Sequence, residues 1–204
     1  MLTSMSTRRL VLAAGLALLG WSAAPAVQAS ADPTAFIQEV SSKAITEMAP
    51  AAEETDKQRA AKLKPLLEQY FDMPGIARYM LGSYWRKATP EEQSAFTSAL
   101  TDFLALSYGK RFANYTGHDM AIGRVRDEGD GQSTVFSTVK LQNGEPARVD
   151  WLVKQADGSF KIADVKVEGL SLADTHRQEF ASVISSSGGS VSKLIEVLKK
   201  KTGN

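Results

Sequence analysis

The chain has 204 residues, 43% of them hydrophobic, with 24 basic against 23 acidic side chains and no cysteine. So balanced a charge leaves no basic footprint for nucleic acid, and the lack of cysteine excludes disulfides, thiolate metal centres and a lipid anchor on an amino-terminal Cys.

Residues 1–31 read as an export signal. Arg8 and Arg9 form the charged start, an apolar run of about a dozen residues follows, and small residues mark a cleavage point near Ala29 or Ala31. The run falls short of the roughly 20 residues needed to cross a bilayer, so a soluble, exported product is expected. Thr7-Arg8-Arg9-Leu10 is compatible with either a general secretory or a twin-arginine route. Cleavage removes two arginines and no acid, leaving 22 basic and 23 acidic residues and a net charge of −1. Residues 32–204 then suit one domain, long enough to bury a core without a staple.

Asp32-Pro33 begins a first helix whose Ile37, Val40, Ala44 and Met48 share one side. A second helix is expected over about residues 53–70, with Leu63, Leu66, Leu67 and Tyr70 inward and a kink or break near Lys64, because Pro65 lacks a donor and crowds the preceding turn. Asp72 starts a short third helix that ends at Gly82. Thr89-Pro90-Glu91-Glu92 starts a long fourth, through a Thr cap and a Glu placed for a capping box. Its apolar face is broad, which implies burial on more than one side.

After Gly117 the period changes. Asp130-Gly131, Asn143-Gly144 and Asp157-Gly158 separate runs of about ten residues, as hairpin turns do. Val135, Val139 and Leu141 alternate with polar residues, as do Val149, Trp151 and Val153, giving a four-stranded antiparallel meander. The last strand changes phase between Ile162 and Val165, which a bulge would explain. Ser171 caps a helix carrying Phe180, Val183 and Ile184, and after a Ser/Gly joint a final helix carries Val191, Leu194, Ile195 and Leu198. Its closing lysines, Lys199, Lys200 and Lys201, suit the negative end of the helix dipole. The fold class is α+β: the meander packed against N-terminal and C-terminal helices, with an apolar pocket between sheet and helices.

FDMPGIARYMLGSYWRKATPEEQSAF, the turn-punctuated meander and GLSLADTHRQEFASVI followed by VSKLIEVLKKK resemble the MlaC, or toluene-tolerance auxiliary, family of periplasmic phospholipid-binding proteins. Hopanoid-associated members share the pattern. The most specific pieces are Phe71-Asp72, the run from Leu81 to Arg86, and Gly169-Leu170-Ser171-Leu172 leading through Arg177 to Phe180. The resemblance implies a soluble, monomeric periplasmic carrier that hides lipid tails in a cavity. It would shuttle them between an outer-membrane lipoprotein and porin complex and an inner-membrane MCE-domain ABC transporter. Phospholipid is the first expected ligand and hopanoid the second; no cofactor, metal or catalytic residue is expected.

The sheet face expected to meet lipid is Val135, Val139, Val149, Trp151, Val153 and Val165, opposed by Phe96, Leu100, Phe103, Leu104 and Phe112. The same positions serve equally as close-packed core. Tyr79, Tyr84, Trp85 and Arg86 suit a pocket rim, or anchor a loop. Arg111, Arg124, Arg126 and Arg148 suit phosphate or acidic surfaces, or a solvated face.

An enzyme on a cone-like α+β scaffold is the alternative class, with Asp150 or Asp164 beside Tyr108 as base and donor. An envelope interaction module with a solid core is a third. His118 and His176 belong to no hydrolase, zincin or thiol motif. Asp174 and His176 lie about 200° apart on a helix, which opposes a shared metal.

Overall fold

The computed structural model describes residues 32–49, 51, 53–112, 120–141, 143–156 and 158–203, with the side chains at 111, 112 and 156 outside that description. The export-signal reading of residues 1–31, His118, and the side-chain roles expected of Arg111 and Phe112 therefore lie outside the described residues.

Each helix begins where a side chain takes over an orphaned backbone donor. In α1, Pro33–Glu47, the Asp32 carboxylate accepts from the N–H of Thr34 at 3.0 Å and of Ala35 at 3.4 Å. In α2, Asp56–Tyr70, Thr55 and Gln58 form a reciprocal capping box, which starts the helix three residues later than expected. Pro65 does not break α2. Pro65 and Ala61, whose carbonyl loses its helical donor, are both on the exposed side of the helix, so the lost bond is not buried in the core. Buried Leu63, Leu66, Leu67 and Tyr70 meanwhile hold the helix on the core.

Asp72 caps α3, Met73–Leu81, which stops at Gly82 with φ of +55°; a 3-10 turn, Gly82–Arg86, follows. The Thr89–Glu92 capping box starts α4, Pro90–Phe112. Gly109 lets α4 press on α2, since a Cβ there would come within 3.2 Å of the backbone at Arg59 and Ala60.

The sheet order is β1-β2-β3-β4-β5, antiparallel throughout. Its strands are β1 (Met120–Gly129), β2 (Gln132–Lys140), β3 (Pro146–Ala156), β4 (Ser159–Val167) and β5 (Leu170–Ser171). Among the described residues the sheet has five strands, one more than the expected four. Leu170 and Ser171 turn back on Val167 and Lys166, and Ser171 at once caps α5, Leu172–Ser186. Two residues that pair with an edge and cap a helix carry no alternation, so sequence periodicity cannot mark them as a strand. The phase change in β4 is a bulge: Leu152 faces Asp164 and Val153 faces Ile162, leaving Ala163 as the extra residue.

The last helix, α6 (Val191–Thr202), is capped by Ser190 and closes at Gly203 in the left-handed conformation. Helix α4 runs through the middle of the helical layer, against α2, α3 and α6, while α5 packs on α3, α6 and β4. The main core joins all six helices to Val135, Val153 and Ile162 of the sheet. A second, smaller cluster, Val139, Ala147 and Val149, occupies the other end of the sheet. Among the described residues no helix is long and apolar enough to cross a membrane.

Candidate functional site

The sheet's smaller apolar cluster does not fuse with the main core. Between them lies a cavity of about 310 Å³. Val139, Val149, Trp151 and Val165 form its sheet side, and Met120 closes it at the start of β1. Val40, Ala44 and Ile45 of α1, Leu63, Leu66 and Leu67 of α2, and Leu104 and Tyr108 of α4 form the opposing walls. Phe71, Ile76 and Met80 of α3, and the first turns of α5 complete it. Its volume falls at the lower end of the range for small-molecule pockets.

The lining is overwhelmingly apolar, and Trp151, Asp164, Tyr108 and His176 within it each have a hydrogen-bond partner inside the protein. Trp151 Nε1 donates to the Ser137 hydroxyl at 3.0 Å, and that hydroxyl donates to the Val149 carbonyl at 2.7 Å. Asp164 Oδ1 accepts from the N–H of Val165 at 2.8 Å and of Ala173 at 3.1 Å, fastening β4 to the start of α5. Buried His176 is bonded on both nitrogens, Nδ1 to Glu179 Oε2 and Nε2 to the Tyr108 hydroxyl, each at 2.9 Å. With the Glu179 carboxylate as acceptor, Nδ1 carries a hydrogen, and in the neutral ring Nε2 then accepts from Tyr108. The imidazole also stacks on Phe180, with ring centres 5.6 Å apart, and meets the edge of Phe103 at 5.4 Å.

Five of the residues expected to meet lipid line this cavity: Leu104, Val139, Val149, Trp151 and Val165. Phe96, Leu100, Phe103, Val135 and Val153 do not; they are in the main core, where Phe96 meets Phe180 edge-on at 5.9 Å. The reason is the position of α4. A central helix spends its largest side chains on neighbouring helices, and only one edge of it, at Leu104 and Tyr108, reaches the gap.

None of the four expected rim residues lines the cavity. Tyr79 is on the outer side of α3, where its hydroxyl donates to Asp174 and Arg177 stacks on its ring at 4.8 Å. The Asp174 carboxylate accepting that bond raises the phenol above its ordinary pKa, and partial burial adds to the shift. This also turns Asp174 away from His176, as the helical angle requires. Tyr84 and Trp85 pack half-buried against the main core, Lys87 lies over the Tyr84 ring at 5.7 Å, and Arg86 is exposed. Trp85 borders a separate groove of about 620 Å³ with Gln93, Thr97 and Ser98. That groove is wide open to solvent, and its lining is mixed, with Phe71, Met73 and Pro74 beside Glu68, Gln93 and Thr97.

Of the other arginines, Arg124 and Arg126 lie over Phe136 on the opposite face of the sheet at 4.5 and 5.5 Å, and Arg148 pairs with Asp150 at 3.2 Å. Sequence reasoning did not assign α1, α2, Met120, Ala173 or His176 to the site. The stripes of α1 and α2 were visible, but a stripe reports burial and not what it is buried against.

The family model for MlaC protein matches residues 38–200. Toluene tolerance protein ttg2D of Pseudomonas putida is 25% identical over 135 residues, which cover 66% of this chain and 63% of that relative's length. A phospholipid-binding protein from Ralstonia solanacearum, solved in complex with a phospholipid, superposes with a TM-score of 0.72 at 25% identity, over 85% of this chain and 98% of that one. With its meander, its cavity and all but the outer ends of its helical layer within the matched residues, this chain belongs to the MlaC family.

Proposed function

We propose that this protein is a non-enzymatic lipid carrier that encloses phospholipid acyl chains in the cavity between sheet and helices. One observation carries the reading. The cavity walls present apolar side chains, and Trp151, Asp164, Tyr108 and His176 among them are already hydrogen-bonded within the protein. At about 0.8 kcal/mol per methylene, moving acyl chains through water carries a prohibitive barrier, and an oily cavity removes most of it. The phospholipid bound to the Ralstonia solanacearum relative is the ligand class most directly supported.

We further propose that the protein is exported to the periplasm through residues 1–31. There it exchanges lipid with an inner-membrane MCE-domain ABC transporter and an outer-membrane lipoprotein and porin complex. Exchange of this kind needs no bond chemistry, only partners of comparable affinity or an ATP-driven bias.

Native mass spectrometry of gently purified protein tests the reading. A co-purifying mass equal to a phospholipid is expected, and a hopanoid mass would move the assignment to that ligand. Protein that stays ligand-free through several preparations, and takes up no phospholipid from vesicles, would sink it.

A further inference from the structure

Helices α3 and α5 pack on each other, and both contribute to the cavity wall, α3 through Ile76 and Met80, α5 through Leu172, Ala173 and His176. Across the outside of the same seam, the Tyr79 hydroxyl of α3 donates to the Asp174 carboxylate of α5, and the Arg177 guanidinium lies over the Tyr79 ring at 4.8 Å. The guanidinium also packs against Gly82, where α3 ends. A Cβ there would stand 3.1 Å from Arg177 Nη2, and the backbone takes a φ of +55°, two demands that glycine meets together.

The neighbouring seams are held differently. Helices α2 and α4 press backbone against side at Gly109, so parting them would tear close packing. On its sheet side α5 is fastened to β4, where Asp164 accepts from the Ala173 N–H at 3.1 Å. Toward α3, the first turns of α5 have the cavity on their inner side, so the outer polar contacts carry more of the hold. Tyr79 is 45% exposed, and Asp174 and Arg177 are exposed too. Contacts of this kind open with little penalty, because water satisfies each freed group.

We propose that Tyr79, Asp174 and Arg177 form a clasp across the α3–α5 seam that positions this wall of the cavity and sets how long a bound phospholipid stays. None of the three lines the cavity, so each acts through the wall residues of its own helix. The inference rests on the carrier reading and adds to it the place where the wall parts. A clasp of this kind changes the barrier to passage in both directions equally, so loosening it alters rates and leaves affinity in place.

The test loads delipidated protein with a phosphatidylcholine carrying brominated tails, which quench the fluorescence of Trp151 in the cavity wall. Affinity is read by titration, and release by mixing with excess unlabelled vesicles. Tyr79→Phe removes only the hydroxyl, and should release lipid about ten-fold faster with affinity within about two-fold of wild type. Arg177→Met loosens the clasp from its other side and should act in the same direction, so a folding defect in one variant leaves the other to decide. Lys64→Met is the control: it breaks the 2.7 Å pair with Asp102 between α2 and α4, and release should stay at the wild-type rate. Unchanged release in the folded clasp variants, faster release matched by an equal loss of affinity, or equal acceleration by Lys64→Met overturns the clasp and leaves the carrier reading intact. Failure of wild type to bind the lipid removes the carrier reading, and the clasp with it.

Discussion

Trp151 and Ser137 are joined across β3 and β2 by a hydrogen bond of 3.0 Å from the indole nitrogen to the hydroxyl. Ser137 is buried and passes its own hydrogen to the Val149 carbonyl, so the polar edge of the indole is settled within the sheet and its apolar surface borders the cavity. Ser137→Ala strands the indole donor. The expected cost is about 1–3 kcal/mol, read as a lower urea midpoint at unchanged slope. An unshifted midpoint would mean that the indole finds another acceptor.

Filling the cavity separates ligand binding from folding. Val139 and Val149 border empty space, so Val139→Trp or Val149→Trp adds bulk without the usual overpacking cost of about 1–3 kcal/mol. Bound phospholipid per protein should drop by more than about half, while far-UV circular dichroism is retained. Full lipid occupancy in both variants would show that the tails lie elsewhere.

Leu100 gives the opposite expectation. It is fully buried in the main core and lines neither the cavity nor the groove described above, so Leu100→Ala should cost about 2–5 kcal/mol. Lipid stoichiometry measured on the folded fraction should stay at the wild-type level. Loss of lipid without loss of stability would place Leu100 on the binding path.

These contrasts mark what the sequence could and could not reveal. Local chemistry was legible: the caps at Asp32, Asp72, Thr89 and Ser171, the positive-φ turns at Gly131, Gly144 and Gly158, and the bulge at Ala163 signalled by a change of phase. The division between core and cavity was not. Phe96 and Val149 are both apolar residues on inward faces, and only the tertiary arrangement puts one against Phe180 and the other against open space. Pro65 leaves α2 unbroken, since the cost of proline in a helix depends on whether the orphaned carbonyl is left buried.

His176 distinguishes a carrier from an enzyme. Its nitrogens are bonded to Tyr108 and Glu179, and its ring stacks on Phe180, which describes a structural imidazole closing the cavity wall. His176→Phe keeps the ring shape and removes both hydrogen bonds, at a cost of about 1–3 kcal/mol. Lipid uptake and transfer between vesicles should persist at wild-type extent. Complete loss of transfer in a folded His176→Phe protein would show that the imidazole's hydrogen bonds are needed for lipid exchange and not only for packing.

Glu92 ties the start of α4 to α6 and makes the acid limb of stability specific. Its carboxylate accepts from the Ser192 hydroxyl and from the Thr89 N–H at 3.0 Å. The Ser192 bond first, and the Thr89 bond second, hold its pKa below the ordinary 4.5, against a smaller opposing effect of desolvation. A carboxylate with a depressed folded pKa contributes stability that is fully present above its unfolded value and disappears as pH falls through the folded one. Glu92→Gln should therefore be less stable than wild type at neutral pH, with the gap closing below about pH 4.5. Ser192→Ala removes the larger of the two bonds and should reproduce most of that pattern. A gap between wild type and Glu92→Gln that stays constant from pH 7 into the acid limb would show that the ionised carboxylate contributes nothing, and that Thr89 and Ser192 are satisfied equally well by a neutral amide.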